Sequence, residues 1–372
     1  MKKNIVVIEG DGIGPEVTRQ SVKVLNAVAE CFHHEFYYKY CLMGAVAIDK
    51  TGDPLPEETI DLALKSDAIL FGAIGHPKYD NDPAAKVRPE QGLLRLRKSL
   101  QLFANIRPIS TYPSLHHLSP LKTKNIEGVD FIIYRELTGG IYFGKKETNA
   151  EQTIASDECM YSREEIERIA HLAFKQASLR GKKLTLVDKA NVLETSRLWR
   201  KVVQDIAKDY PDVALDFLFV DNAAMQIIVN PKQFDVILTE NMFGDILSDE
   251  ASVISGSLGL LPSASVGNGP ALFEPIHGSY PQAAGKDIAN PLGSVLSAAM
   301  MLDHFELHKE AELVREAVEW TLLNGFVTKD IDPVNFYFTS TIGELISDYL
   351  VGKISGEELN QGNIALRKST II

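Results

Sequence analysis

The chain has 372 residues, more than the roughly 250–300 at which one hydrophobic core stops growing, so two domains are expected. Its 45% apolar and 24% charged residues are typical of a globular protein. The formal net charge of −12 argues against nucleic acid or a membrane surface as the main partner, and an acidic protein that binds anions must concentrate positive charge locally.

Three cysteines, Cys31, Cys41 and Cys159, lack any CxxC spacing, so neither a disulfide framework nor a zinc knuckle is indicated. The apolar run at residues 5–8 is shorter than the hydrophobic region of a secretory signal. No apolar run approaches the ~20 residues that span a bilayer. We therefore expect reduced thiols and a cytoplasmic protein.

Short apolar runs alternate with segments of helical period, which is typical of an α/β protein. The predicted strands are residues 5–8, 68–73, 184–187, 215–220 and 236–239. The predicted helices are residues 163–179 and 194–208. From about residue 291 to 350 the pattern becomes almost wholly helical, which predicts a closing helical layer.

Residues 9–16 follow the first strand, where a dinucleotide fingerprint GxGxxG could stand. The glycines instead recur at every second position, and Pro15 begins the next helix. This spacing predicts a tight strand-to-helix turn rather than a Rossmann nucleotide site.

Arginines are frequent at residues 88–108, which include Arg97 and Arg107, and Arg135 follows in a strand-like run. Guanidinium groups bind carboxylates through two parallel hydrogen bonds, so convergent arginines suit a dianionic substrate. For the first segment, spacing alone leaves a solvated helix face as an open alternative.

Two side chains could move protons. Tyr142 lies between glycines after Arg135 and could donate a proton, although a strand tyrosine is often only a packing residue. Lys189 follows the end of a predicted strand and could act as a base if its pKa is lowered, or it could be a surface lysine.

Asp245 and Asp249 give the strongest indication of a site, because they are four residues apart in a helical pattern. Like charges at that spacing repel, and magnesium or manganese between them would relieve the repulsion. Asp221, at the end of a predicted strand, could be a third ligand or a solvated cap. Residues 273–290 could cradle a nucleotide with backbone amides, or simply connect two elements.

Taken in order, these segments resemble the isocitrate/isopropylmalate family of β-decarboxylating dehydrogenases over essentially the whole chain. The resemblance implies an α/β fold whose mixed sheet has helices on both faces and no Rossmann topology. It implies a first domain of residues 1–102 and 256–372 with nucleotide-binding loops, and a second of residues 103–255 with the metal and catalytic residues. It also implies a homodimer whose active sites are shared.

The resemblance further assigns roles to individual residues. Lys189 would be the base and Tyr142 the acid, and Lys189 and Asp221 would come from the second subunit. Substrate would be bound by Glu90, Leu93, Leu94, Arg97, Arg107, Arg135 and Asp221. Magnesium or manganese would be bound by Asp221, Asp245 and Asp249. NAD would be bound by Ile13, His277, Gly278, Ser279, Gln282, Ala283 and Asn290.

Leu93 and Leu94, with Glu90, match the positions that face the substituent of the malate. Two leucines suit an isopropyl group, whereas the third carboxylate of isocitrate would be buried without a partner. The expected reaction is oxidative decarboxylation of (2R,3S)-3-isopropylmalate to 4-methyl-2-oxopentanoate in leucine biosynthesis. Tartrate, homoisocitrate or isocitrate are alternative substrates. A metal-dependent hydrolase and a dicarboxylate-binding protein without turnover are more distant alternatives.

Gln282 departs from the family pattern, because members that use NAD usually carry aspartate after the proline of this loop. Glutamine can still hydrogen-bond ribose hydroxyls but does not repel a 2′-phosphate. We expect NAD, since the loop offers no matching arginine or lysine to attract that phosphate. Tyr280 and Ala283 also differ from the commonest form of the loop.

Overall fold

The computed structural model describes residues 1–80 and 87–355. In chain order the strands are β1 (Lys2–Gly10), β2 (Glu35–Cys41), β3 (Ala68–Ala73), β4 (Leu102–Ser110), β5 (Asp130–Glu136), β6 (Lys146–Thr148), β7 (Ala155–Asp157), β8 (Lys183–Asp188), β9 (Ala214–Phe219), β10 (Val236–Thr239), β11 (Pro262–Gly267) and β12 (Ala271–Pro275). The helices are α1 (Gly14–Phe32), α2 (Ala45–Thr51), α3 (Glu57–Leu64), α4 (Pro77–Asp80), α5 (Pro89–Ser99), α6 (Thr123–Ile126), α7 (Arg163–Leu179), α8 (Glu194–Ala207), α9 (Val220–Val229), α10 (Asn241–Ser252), α11 (Leu292–His304), α12 (His308–Leu323) and α13 (Thr339–Ser355).

The strands and helices predicted from the sequence are confirmed, with four corrections, the smallest being that α8 ends at Ala207 rather than at Lys208. Val220 does not end a strand, because it is already the first residue of α9. Tyr142 lies in a 3-10 turn, Gly140–Tyr142, rather than in a strand. The helical layer after residue 291 is interrupted, because Gly325 takes a φ of 71° just beyond α12 and the chain stays irregular until α13.

The chain divides into two compact units. Unit 1 combines Met1–Gln101 with the chain from Ser257 onward, and unit 2 is Leu102–Gly256. Both of the predicted domain crossings, residues 102 and 256, fall in unit 2. Leu102 begins β4, and Gly256 ends a 3-10 turn with a φ of 87°.

Unit 1 is built on strands in the order β2-β1-β3-β12-β11. All of these pairs are parallel except β11–β12, which is antiparallel. Every residue of β3 is buried, as expected for a parallel strand covered on both faces. Helix α1 packs against both α11 and α13. The antiparallel pair excludes a Rossmann sheet.

The glycine turn after β1 is confirmed as a close backbone approach. A Cβ atom at Gly10 would lie 1.9 Å from the carbonyl oxygen of Ala73, and one at Gly12 would lie 1.9 Å from that of Ser279. Both glycines also have positive φ values. The turn is therefore fixed against β3 and against the loop that contains Ser279.

Unit 2 is built on strands in the order β4-β5-β10-β8-β9. The β4–β5 pair is antiparallel and the other pairs are parallel. Strands β6 and β7 form a separate antiparallel pair. Because parallel strands end at the same edge of a sheet, the residues after β5, β8, β9 and β10 emerge together. The predicted catalytic side chains of this unit come from those segments.

The sheets of both units mix parallel and antiparallel pairs, which confirms the predicted mixed α/β fold. The three cysteines are free thiols. Within residues 1–80 and 87–355, no helix has both the length and the apolar character needed to cross a membrane.

Candidate active site

Helix α10 carries both aspartates that the sequence singled out. Its first turn is capped by Glu240, whose Oε1 accepts a hydrogen bond from the backbone N–H of Phe243 at 3.2 Å. Asp245 and Asp249 then follow one turn apart. The side chain of Asp245 is 35% exposed and that of Asp249 is 68% exposed. The helix thus presents two accessible carboxylates.

Arg135 and Tyr142 converge on Asp245. The guanidinium of Arg135 donates from Nη1 to Oδ1 of Asp245, and the hydroxyl of Tyr142 donates to Oδ2 at 2.9 Å. Burial, and then the hydrogen bond to Asp245, raise the pKa of the Tyr142 phenol. The phenol therefore keeps its proton at neutral pH and can donate it.

Arg107 reaches the second carboxylate of the helix. Its Nη1 donates to Oδ1 of Asp249 at 2.9 Å and to Oγ of Ser248 at 2.7 Å. Its Nε donates to Oδ1 of Asn105 at 2.8 Å. The sequence argument that a metal ion must relieve the repulsion between the two aspartates is therefore incomplete, because each carboxylate already has an arginine partner.

Lys189 and Asp221 form a second cluster in unit 2. Lys189 directly follows β8, and Asp221 lies in the first turn of α9. Their side chains form an ion pair, and the hydrogen bond from Lys189 lowers the pKa of the Asp221 carboxyl group. Asp221 is thus the partner of a lysine rather than a solvated cap.

The structure does not gather the three predicted metal ligands within one chain. Over residues 1–80 and 87–355, no group of three or more His, Cys, Asp or Glu side chains is placed to hold a metal ion. Asp245 and Asp249 share a helix, whereas Asp221 pairs with Lys189 elsewhere in the unit.

The other predicted substrate residues lie in unit 1. The Nη2 atom of Arg97, on α5, donates to Oε1 of the buried Glu274 at 2.7 Å. On the same helix Leu93 is half-buried and Leu94 is 49% exposed. Glu90 approaches the nucleotide loop, because a Cβ atom at Gly75 would lie 3.0 Å from its Oε1 and 3.7 Å from Oγ of Ser279.

Unit 1 also contains a cavity of about 570 Å³, a volume suited to part of a nucleotide. Four predicted NAD-binding residues line it: Ile13, His277, Gly278 and Asn290. The other three do not. Ser279 and Ala283 are buried behind its wall, where the Ser279 carbonyl accepts from the N–H of Ile13 at 2.8 Å, and Gln282 is exposed.

His277 lines this cavity, and one of its ring nitrogens is left without a hydrogen-bond partner among the described residues. Its Nδ1 hydrogen-bonds the carbonyl oxygen of Gly278 at 2.9 Å, so that nitrogen carries the proton. Its Nε2 is buried and has no hydrogen-bond partner within the described part of the chain. Burial lowers the pKa of His277, which keeps the ring neutral. A ligand that donates a hydrogen bond would satisfy this nitrogen.

The cavity-lining residues that sequence reasoning missed include two charged ones, Lys329 and Asp330. They lie in the irregular segment after α12, where no periodicity or motif marks them. Asp330 accepts from the side chain of Asn290 at 3.0 Å. Lys329 adds a positively charged side chain to the lining of the cavity.

The mixed α/β fold, with a charged cluster in unit 2 and a nucleotide-sized cavity in unit 1, is compatible with the class of nucleotide-dependent dehydrogenases. The family model for isocitrate/isopropylmalate dehydrogenase matches residues 4–346. The chain belongs to this family.

Proteins named 3-isopropylmalate dehydrogenase are among its relatives. That of Bacteroides fragilis strain YCH46 is 54% identical and covers 94% of this chain and 99% of its own length. That of Geobacillus kaustophilus is 56% identical, with coverage of 91% and 92%. Among solved structures, isocitrate dehydrogenase from Methylococcus capsulatus has a TM-score of 0.84 and 33% identity, with coverage of 94% and 99%.

Proposed function

We propose that the protein catalyses the NAD-dependent oxidative decarboxylation of (2R,3S)-3-isopropylmalate to 4-methyl-2-oxopentanoate and carbon dioxide, in leucine biosynthesis. The observation that carries this choice of substrate is helix α5, which exposes Leu94 beside the half-buried Leu93 on the helix that carries Arg97. An isopropyl group would cover these leucines. The names of the relatives support the same reaction.

In this proposal the three arginines bind the carboxylates of the malate. Arg97, Arg107 and Arg135 are each held by a carboxylate of their own unit, namely Glu274, Asp249 and Asp245. Such pairs fix the guanidinium groups in place. Preorganised donors of this kind lower the cost of orienting a dianion.

The residues also fit a divalent cation. Asp245 and Asp249 offer accessible carboxylate oxygens from one helix, which magnesium and manganese prefer as ligands. A third carboxylate has to come from elsewhere, and we propose Asp221 of a second subunit, which is 63% exposed. When bound, the cation supplies positive charge that favours loss of the hydroxyl proton and the negative charge that decarboxylation places on oxygen.

Two side chains would handle the protons. Lys189 takes the proton of the C2 hydroxyl as that carbon is oxidised. Loss of carbon dioxide then leaves an electron pair on the neighbouring carbon, and the phenol of Tyr142 donates a proton to it. The hydrogen bond of Tyr142 to Asp245 places its phenol beside the proposed metal ligand.

Unit 1 would bind the hydride acceptor, NAD. The cavity volume and the unpaired Nε2 of His277 suit an adenosine group that donates a hydrogen bond. Gln282 would meet the ribose hydroxyls. We propose NAD rather than NADP, and unit 2 as the unit that binds metal and carries the proton-transfer residues.

We also propose a cytoplasmic homodimer with shared sites. Helices α9 and α10 pack against each other and expose Met225, Val229 and Ile246, which are each 58–63% exposed. Large apolar side chains clustered on neighbouring helices indicate a surface that a partner covers. A second copy there would bring its own α9, and hence its Asp221, toward this chain.

The test is NADH formation, followed by its near-ultraviolet absorbance, with purified protein, magnesium or manganese, NAD and 3-isopropylmalate. Isocitrate, tartrate, homoisocitrate and NADP serve as comparisons. Metal-dependent turnover confined to isopropylmalate would support the proposal and exclude a hydrolase. Faster turnover of another malate would show that this malate is the substrate. Binding of isopropylmalate without NADH formation would favour a dicarboxylate-binding protein.

A further inference from the structure

Asn241, the first residue of α10, is one of the most deeply buried polar side chains of unit 2, with 1% exposure. Its Oδ1 accepts two hydrogen bonds from Arg135, from Nε at 3.1 Å and from Nη2 at 3.0 Å. The Nη1 end of that guanidinium pairs with Asp245. One amide oxygen therefore sets the orientation of Arg135.

The same side chain also holds the turn of Tyr142. Its Nδ2 donates to the carbonyl oxygen of Gly139 at 3.2 Å, just before the 3-10 turn that carries Tyr142. Tyr161 supports the turn from the other side, because a Cβ atom at Gly140 would lie 2.2 Å from its hydroxyl oxygen. That hydroxyl also accepts from the backbone N–H of Asn241 at 3.0 Å.

The chemical type of this contact matters. A carboxylate at this position would also orient Arg135 but would add a second negative charge to that of Asp245, whereas an amide oxygen is neutral. The amide therefore orients the guanidinium without adding negative charge that would repel an anionic ligand. We propose that Asn241 is a positioning residue that holds Arg135 from behind without adding negative charge and fixes the turn of Tyr142. This inference rests on the proposed function.

The kinetic test compares Asn241→Ala, Asn241→Asp and a matched control, Ser252→Ala. Ser252 is buried on the same helix, and its hydroxyl donates to the backbone oxygen of Asp249. Loss of hydrogen bonds to a charged group predicts that Asn241→Ala raises KM for isopropylmalate by about 10- to 100-fold. Asn241→Asp, nearly isosteric, should raise KM as well, because it adds a second negative charge beside Arg135, in addition to Asp245, and so repels the anionic substrate. Ser252→Ala should leave KM unchanged.

A double-mutant cycle shows whether Asn241 acts through Arg135. Arg135→Met keeps the apolar stem of the side chain and removes its charge. In that background Asn241→Ala should change KM by less than about twofold, because the group that it positions is gone. The proposal is overturned if Asn241→Ala multiplies KM equally in both backgrounds, or if Asn241→Asp binds substrate as the wild type does.

A measurement without turnover separates this inference from the proposed function. The ¹⁵N resonance of Arg135 Nε–H, assigned by its loss in Arg135→Met, should exchange slowly with water in the wild type and in Ser252→Ala. It should exchange much faster in Asn241→Ala. Equal exchange in all three proteins overturns the positioning role, even if isopropylmalate proves to be the wrong substrate.

Discussion

Lys189 and Asp221 of one chain form an ion pair, although they come from two different segments that follow neighbouring parallel strands. Within the described ranges, no group of three metal-ligating side chains forms around this pair. In the proposed function the pair combines a base and a carboxylate ligand, which one subunit would donate together to another.

Mixing inactive Lys189→Ala and Asp245→Ala proteins tests this sharing. Each mixed dimer should contain one intact site, so random exchange should restore about a quarter of wild-type activity. Mixing Lys189→Ala with Asp221→Ala is the matched control, since both residues belong to the same donated pair and no intact site can form. If the first mixture stays inactive after subunit exchange has been demonstrated, the result contradicts shared sites.

Leu94 should determine the preference for an isopropyl group. Its side chain is 49% exposed on α5, and substrate would bury it. Leu94→Ser should lower kcat/KM for isopropylmalate by about 10- to 100-fold, the loss expected for one buried apolar contact. Turnover of malate, which lacks the substituent, should change little. Equal losses on both substrates would show that Leu94 does not face the substituent.

Lys329 should support residual binding of NADPH. It lines the nucleotide cavity, where a 2′-phosphate would gain a surface ion pair. Titrations followed by tryptophan fluorescence should show NADPH weakened by about threefold to fivefold in Lys329→Ala, with NADH unaffected. Lys309→Ala, a lysine of α12 that stacks on Phe32, is the control. Gln282→Asp should weaken NADPH further through charge repulsion. If neither variant changes the affinity for NADPH, the 2′-phosphate does not bind near Lys329 or Gln282.

His277 should make the folded protein sensitive to mild acid. Burial lowers its pKa below the ordinary 6.5, so the unfolded chain binds this proton before the folded protein does. The free energy of unfolding should therefore fall as pH drops below about 6.5, until the folded pKa is reached. Urea titrations of the wild type and His277→Asn across that range should show a shallower loss for the variant. Parallel curves would assign the acid sensitivity to other groups.

The fold could be predicted because buried parallel strands such as β3 and β10 appear as uninterrupted apolar runs. The pairing of Asp245 with Asp249 could be predicted because residues four apart lie on the same face of a helix. Their partners were not visible, since Arg135 and Asp245 are 110 residues apart in the chain. Lys329 was missed because it reaches the cavity from an irregular segment, where no periodicity marks it.

The pairing of Arg107 with Asp249 and of Arg135 with Asp245 leaves this corner of unit 2 electrically balanced before any ligand arrives. A divalent cation alone would add two positive charges, and a dianion alone would add two negative ones. Bound together, the cation and the dianion leave the net charge of this site unchanged. Metal and malate should therefore enter as a neutral couple, and each should raise the affinity of the other by the same factor.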